Sequence, residues 1–542
     1  MKKVSKILIF TLLSSLALVG CNDLLDVDSN RNVFTDDYKM TAANDTLYSM
    51  FGIFSQLEKI ADSYVLLGEL RGDLMQVTDQ SSMYLKEINN FNISTNNPYA
   101  NNLKDYYSVI NNCNYVIHNI DTSVVKNTKK VMLKEYAACK AIRAWSFIQI
   151  ALNYGSVVYY DKPILTLKDA EAIQLEQPKT LEQLAEVLIA DLIPLKDIDE
   201  PNLGSLYSYN TTYSYFPIRF LLGDLYLWTG QYEYAATEYH DLMYRSKYIL
   251  SSNYKSTRTV TNGAFTTNVN WTDYINLTSE NVTNIAASNV YGHYFDLDSL
   301  TLNRMIAPTS VAINNWDSQK YFYSAKLDTL GDLRKLSAVS KSLNYSSSNN
   351  ITPTSNYFLY KYILLNPILD KKATAKLITP YRVPLLYLRY AEAVNRSHKP
   401  NLAFAVLKNG LTKSTLANKK IVPQNEITDN MPGYMNFTDA RFDSNIGVRM
   451  RGLGNINADT TYVIPNLNTL QDSVVYVEDL IEKELALETA FEGNRFHDLM
   501  RFAIRRNDNS YLADRVAAKY TTNKEAIRSK LTLNRDYWYL KK

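Results

Sequence analysis

The sequence predicts a mainly α-helical protein with minor β structure and long, loop-rich insertions. Three observations carry this. Of 542 residues, only 17 are glycine and 15 proline, well below ordinary usage of about 7% and 5%. Hydrophobic residues make up 46%, ample for a large core. Apolar residues in the first half recur at three- and four-residue spacing, the signature of helices with one buried stripe.

The helices can be taken in order. "ANDTLYSMFGIFSQLEKI" (43–60) carries Leu47, Met50, Phe51, Phe54 and Leu57 on one face. "YYSVINNCNYVIHNI" (106–120) repeats the pattern with Val109, Ile110, Cys113, Val116, Ile117 and Ile120. A third stretch, 134–155, stops at Gly155, where a helix C-terminus is expected, and "VVYYDKPI" reads as extended chain ending at Pro163. Residues 216–243 predict a tetratricopeptide-like helix pair: a start near Pro217, a turn at Thr229 and Gly230, and a second helix with Tyr232, Ala235, Ala236 and Tyr239. Gly223 would let these two helices approach closely. A second pair spans 383–411, joined across "RSHKP". From 251 to 380, Ser, Thr, Asn and Tyr dominate, as in "SLNYSSSNNITPTS" (342–355), and long loops on a rigid scaffold are where binding residues tend to sit.

The N-terminus has the layout of an export signal: Lys2, Lys3 and Lys6, then a mostly apolar Ile7 to Val19, then Gly20. The apolar run is shorter than the ~20 residues a membrane span needs. Asn22, Asp23, Asp26 and Asp28 follow at once. Cys21, preceded by Leu18, Val19 and Gly20, resembles a bacterial lipobox cysteine, which receives a diacylglycerol before the signal is cut away. Two or three acyl chains give a durable anchor where one does not. The expectation is a body tethered to the outer membrane through Cys21, the alternative being an ordinary secreted protein. The organisation expected is a signal at 1–20, a lipidated tether at 21–40, a helical region at 41–250, the loop-rich insertion at 251–380 and a C-terminal helical region at 381–542.

Loss of the three signal lysines leaves 55 basic against 55 acidic residues, a neutral body with no long Lys/Arg block, so nucleic acid is disfavoured as a partner. Cys113 and Cys139 read as two buried thiols, with a disulfide as the alternative. The five histidines, His118, His240, His293, His398 and His497, show no metal-ligand spacing, and no nucleotide, cofactor or serine-hydrolase fingerprint occurs. "DLDS" (296–299) hints at a calcium loop but lacks the further ligands and the glycine, which favours a solvated loop. A glycosidase needs two carboxylates that can come from remote segments, and nothing in the sequence selects a pair.

Several stretches together resemble the RagB/SusD family of nutrient-binding outer-membrane lipoproteins. They are "NDLLDVDS" behind the lipobox, "LGELRGD" (67–73), "EYAACKAIRAWSFIQIALNYGSVVYY" (135–160), "YRVPLLYLRYAEAVNR" (381–396) and "EKELALETAFEGNRFHDLMRF" (482–502). The most specific element is the ordered set Glu484, Glu488, Phe491, Glu492, Gly493, Arg495, Asp498, Leu499 and Arg501. The resemblance implies a SusD-like helical fold. It also implies a surface-exposed lipoprotein that caps a SusC-like TonB-dependent outer-membrane transporter and captures glycans or, in the RagB-like branch, peptides, without catalysis. The chain departs from the family pattern at Leu385, where Glu is more usual, and in its tail "NRDYWYLKK".

Tyrosine is abundant, with 42 residues. Its flat apolar face and hydroxyl suit ligands that are half apolar and half hydroxylated, as sugars are. The candidate platforms are Tyr84 and Tyr99 in the polar stretch after "RGD", and Trp271, Tyr274, Tyr291, Tyr294 and Trp316 in the loop-rich middle. At the closing motif, Glu488 or Glu492 is expected to meet Arg495 or Arg501 as a structural ion pair, and Arg71 is expected to pair with Asp73. The reading is a non-catalytic receptor for an oligosaccharide. Its rivals are peptide capture, a structural tetratricopeptide scaffold and a lipid-anchored hydrolase.

Overall fold

A computed structural model describes residues 39–206, 209–250, 257–261, 264–268, 280–287, 295–323, 326–328, 331–341, 343–345, 349–351, 356–362, 376–427, 432–452 and 461–540. The fold is mainly α. The three long N-terminal helices are Ala43–Glu69, Leu103–Asn119 and Leu133–Tyr154. The last ends where its sequence says it should: Gly155 adopts φ +78°, a left-handed cap that lacks a Cβ penalty, and its N–H donates to Ala151 O.

Both tetratricopeptide-like pairs form. Ile218–Trp228 begins after Pro217, turns through Gly230 at φ +79°, and returns as Tyr232–Ser246. A methyl at Gly223 would overlap the Tyr239 ring, so the glycine is what lets that ring seat between the helices. Tyr239 and Tyr381 both donate to the Asp224 carboxylate, at 2.6 and 2.9 Å, and Tyr381 stacks on Phe220 at 4.0 Å. The second pair is Val383–Arg396 and Pro400–Lys408, each with proline in its first turn, where no amide partner is lost. Leu385, the departure from the family pattern, is buried core.

Strands are short and pair only in twos among the described residues. Asn281–Ala287 runs antiparallel to Lys376–Arg382, with Ile285 opposite Ile378. This pairing joins two segments of the loop-rich middle, the second of which runs directly into helix Val383–Arg396. Among its described residues that middle also holds helices Asp296–Leu302 and Ser310–Asp317. "DLDS" is therefore the first turn of a helix rather than a loop. Its amides at Asp296 and Leu297 donate to Asp62 Oδ2 and Oδ1 at 2.8 and 3.2 Å, so a carboxylate from the first helix caps it.

Much of the aromatic richness is spent on the core. Tyr209 and Tyr215, within the tyrosine-dense stretch at 206–216, are buried, as are Tyr106, Tyr239, Tyr321, Tyr387 and Tyr390. Cys113 and Cys139 are both buried free thiols. The hydrogen bond with Cys113, with burial adding to it, pushes the Cys139 thiol well up, and it lies 3.4 Å from Met50 Sδ. No described helix is long and apolar enough to cross a membrane.

Candidate ligand-binding cleft

The first long helix runs into the segment "LRGDLM", and both charged side chains in it are committed. Arg71 Nε donates to Leu67 O at 2.8 Å, Nη1 to Trp538 O at 2.9 Å and Nη2 to Asn153 Oδ1 at 2.5 Å, while His497 Nε2 lies 3.2 Å away. Asp73 receives a bidentate pair from Arg495, at 2.6 and 2.8 Å. The expected Arg71–Asp73 pair is thus not made: alternate residues of the turn point to different elements, 422 residues on for Asp73.

Beyond this anchored turn, strand Met75–Val77 pairs antiparallel with Ile306–Pro308, Gln76 opposite Ala307. Two side chains clamp the junction, Thr309 Oγ1 donating to Asp73 O at 2.7 Å and Thr78 Oγ1 to Arg304 O at 2.5 Å, and Ser81 Oγ donates to Met305 O. The platform so formed walls a cleft of about 690 Å³. That lies within the ~300–1,000 Å³ typical of sites for small organic ligands. Its polar lining includes Gln76, Gln80, Arg304, Asn314 and Asn356, and its aromatic lining is Tyr357 and Phe358. Phe358 is fixed by strand pairing with Ser340 and is buried; Tyr357 is half-buried and lies 4.7 Å from Lys335 Nζ and 4.9 Å from Lys341 Nζ. The lining holds one carboxylate, Asp79, whereas glycoside hydrolysis ordinarily employs two. Among the described residues no group of three or more His, Cys, Asp or Glu is arranged to hold a metal ion.

The sequence candidates fall in three places. Trp271, Tyr274, Tyr291 and Tyr294 lie outside the described residues, as does Cys21. Tyr84 and Tyr99 are half-buried on the segment following the cleft wall but do not line it. Burial, with the Asp296 and Asp62 carboxylates nearby, pushes the Tyr99 phenol up to about 12, so it remains a neutral hydroxyl at physiological pH. Trp316 requires correction as a platform. It is 1% exposed, donates Nε1–H to Leu487 O at 3.1 Å and meets Phe491 edge-on at 6.0 Å. Its helix does border the cleft, through Ser310, Ile313 and Asn314, but positions 312 and 316 are turned to the core by the helical period.

Gln76, Arg304, Asn314 and Tyr357 were not singled out by their sequence. Arg304 stands alone between a helix end and a strand, and no local pattern marks it. Tyr357 sits behind the polar run "NNITPTS", and an aromatic following such a run was the one available signal.

Beneath the cleft the closing motif forms a buried ionic core with partners other than those expected. Glu488 is contacted by Arg334 at 3.0 Å, Arg382 at 2.8 Å and Arg451 at 3.1 Å. Glu492 takes Lys361 at 2.6 Å and Arg382 at 2.7 Å. Arg495 is held by Asp73 and Glu482, and Arg501 by Glu392 and Asp498. Neither arginine reaches Glu488 or Glu492, because the left-handed residues Phe491 (φ +71°) and Gly493 (φ +91°) turn the two helices' charged faces apart. Burial opposes ionisation of Glu488, yet Arg451, Arg382 and Arg334 hold its carboxyl well below the usual range. Burial, with Arg71, Arg389 and Arg501 adding to it, keeps the His497 imidazole neutral. These groups carry structure: all are enclosed, and their charges are spent on one another.

Fold and cleft together define a scaffold of tetratricopeptide-like helix pairs beside which short paired strands wall a pocket. Residues 309–540 match the model of the SusD family. Over those residues the chain is similar to the SusD/RagB family. Among solved structures it is similar to a SusD homolog from Bacteroides thetaiotaomicron, with a TM-score of 0.58 and 15% identity over 93% of this chain and 91% of that one. A putative sugar binding protein from Bacteroides vulgatus aligns with a TM-score of 0.56 and 15% identity over 86% and 88%. Surface glycan-binding protein A from Bacteroides fluxus aligns with a TM-score of 0.50 and 14% identity over 89% and 94%. Among curated proteins, none matches the chain.

Proposed function

We propose that this protein is a non-catalytic outer-membrane lipoprotein, anchored through acylated Cys21, that captures an oligosaccharide and passes it to a partner TonB-dependent transporter. The observation that carries the reading is the cleft itself. It combines aromatic surface from Tyr357 and Phe358 with side-chain amides at Gln76, Gln80, Asn314 and Asn356, the mixture that a sugar's C–H faces and edge hydroxyls require. Two structurally similar proteins carry sugar- or glycan-binding names, which supports the same ligand class. A receptor that must release its cargo needs only modest affinity, and a micromolar site corresponds to about 8 kcal/mol.

The test is calorimetric titration of the purified body with oligosaccharide and peptide panels. Micromolar binding of a sugar, weakened at least tenfold by Tyr357→Ala and Gln80→Ala together, supports the reading. Saturable binding of peptides alone would transfer the protein to peptide capture, and release of a product from any sugar would end the non-catalytic assignment.

A further inference from the structure

Arg304 is placed in the cleft in a way that structure alone does not require. It follows helix Asp296–Leu302 as the residue that reverses the chain: Arg304 N–H donates to Thr301 O at 3.0 Å and Met305 N–H to Leu300 O at 2.8 Å, with Arg304 at φ +56°. This is the helix-ending loop in which glycine is the usual occupant, since a side chain there carries a backbone cost. Here the position holds an arginine whose main-chain carbonyl is clamped by Thr78 Oγ1.

The side chain is half-buried and lines the cleft, its guanidinium lying 4.7 Å from the centre of the Phe358 ring. Among the described residues it makes no ion pair and no hydrogen bond through its guanidinium. The contrast with the rest of the molecule is sharp, because Arg334, Arg382, Arg451, Arg495 and Arg501 are each tied to at least one carboxylate. A second cation stands at the same rim: Lys341 is exposed, its Nζ 4.9 Å from the Tyr357 ring, and it too has no carboxylate partner among the described residues. Lys335, the other amine at that ring, is neutralised by both oxygens of Asp317 at 2.7 and 2.8 Å. The countercharge in the lining is the exposed Asp79.

We infer that the cleft selects an acidic oligosaccharide, with the Arg304 guanidinium, seated on Phe358, receiving the sugar's carboxylate or sulfate and Lys341 adding charge at the rim. The inference rests on the proposed glycan-binding role of the same cleft. A planar guanidinium offers parallel N–H donors that match two oxygens of a carboxylate or sulfate, and an aromatic seat holds that plane in place before the ligand arrives. A neutral sugar would leave this pre-positioned cation without a partner.

The experiment uses pairs of oligosaccharides that differ only in charge, titrated into the purified body. One arm takes oligogalacturonate against its methyl ester, the other a sulfated galactan oligomer against its desulfated form, so that carboxylate and sulfate are told apart. In one arm the charged member is expected to bind at least tenfold more tightly, and its affinity to fall as salt is raised. Arg304→Gln should bring the pair within twofold, and Arg304→Lys should recover only part of the preference. Arg304→Gly, which suits the left-handed backbone, should keep the thermal midpoint within a few degrees of the parent, so that lost binding reports on the guanidinium rather than on folding. If neutral members bind as well as charged ones, or if Arg304→Gln keeps the preference, the inference fails while the glycan-binding role stands. If no sugar of either kind binds, the inference fails, and the glycan-binding role is decided by the wider oligosaccharide panel.

Discussion

The carboxylate of Glu69 accepts the main-chain N–H of Gly493 at 2.8 Å, and that of Phe491 at 3.1 Å, across more than 420 residues of sequence. The last residue of the first long helix is thereby the anion that caps the sharp turn of the closing motif. Burial raises its carboxyl from the ordinary 4.5 to about 7, against the lowering effect of the Gly493, Arg495 and Phe491 amides. The folded chain therefore holds this proton more tightly than the unfolded chain. The stabilisation is complete below about pH 4.5 and is lost as pH rises through about 7. Relative to Glu69→Gln, the parent should lose stability across that window, on the order of 3 kcal/mol, measured by denaturant unfolding at stepped pH. Lys519, lowered by burial from 10.5 to about 7, has the opposite sign: its contribution is lost as pH falls from above 10 through 7, leaving the acid-side window to Glu69. Parallel pH profiles for parent and variant would refute the assignment.

Glu488 should be the most sensitive single residue in the ionic core. Its removal leaves Arg334, Arg382 and Arg451 short of charge in an enclosed site. Glu488→Gln is expected to cost about 3–5 kcal/mol in equilibrium unfolding, the usual penalty for breaking a buried pair from one side. A loss under 1 kcal/mol would show that water reaches the cluster.

Gly68 lies against the Gly493 backbone, and a methyl group there would overlap the Gly493 carbonyl. Gly68→Ala should destabilise by about 1–3 kcal/mol, because main chain cannot rotate aside as a side chain can. Gly52, which has open space around it, is the control: Gly52→Ala in the same helix should be neutral or stabilising.

Trp316 and Tyr357 separate packing from binding. Trp316→Ala opens a cavity against Phe491 and should cost about 3–5 kcal/mol in unfolding experiments. Tyr357→Ala, at a half-buried lining position, should leave stability within about 1 kcal/mol while lowering sugar affinity. Equal effects on both readouts from both variants would mean that the cleft wall is not distinct from the core.

Cys21→Ser should release the protein from the membrane fraction, with the signal retained or cut elsewhere. Mass spectrometry of the parent should find the mature chain beginning at an acylated Cys21. An unmodified N-terminus on a membrane-bound parent would remove the anchor from the proposed function.

How much of this was legible beforehand follows from the range over which each feature is encoded. Helix ends at Gly155 and Pro217, the turn at Gly230 and the close approach at Gly223 are written within a few neighbouring residues, so periodicity and turn chemistry reach them directly. The same local reading fails for Trp316. A tryptophan in a polar stretch looks like a platform, and only the position of the Leu487 carbonyl and Phe491, some 170 residues away, decides that it is core.

By itself the sequence determined the helical class and the two helix pairs, because each depends on composition or on spacing inside one element. The ordered acidic and basic residues of the closing motif were likewise visible as a set. Only tertiary structure decided which charges meet. Asp73 chose Arg495 over Arg71, and Glu488 chose three arginines from remote segments, since a buried charge must be matched by whatever the fold brings beside it. The cleft is of the same kind: Gln76, Arg304 and Tyr357 come from separate segments, and two short paired strands, rather than any motif, bring them to one wall.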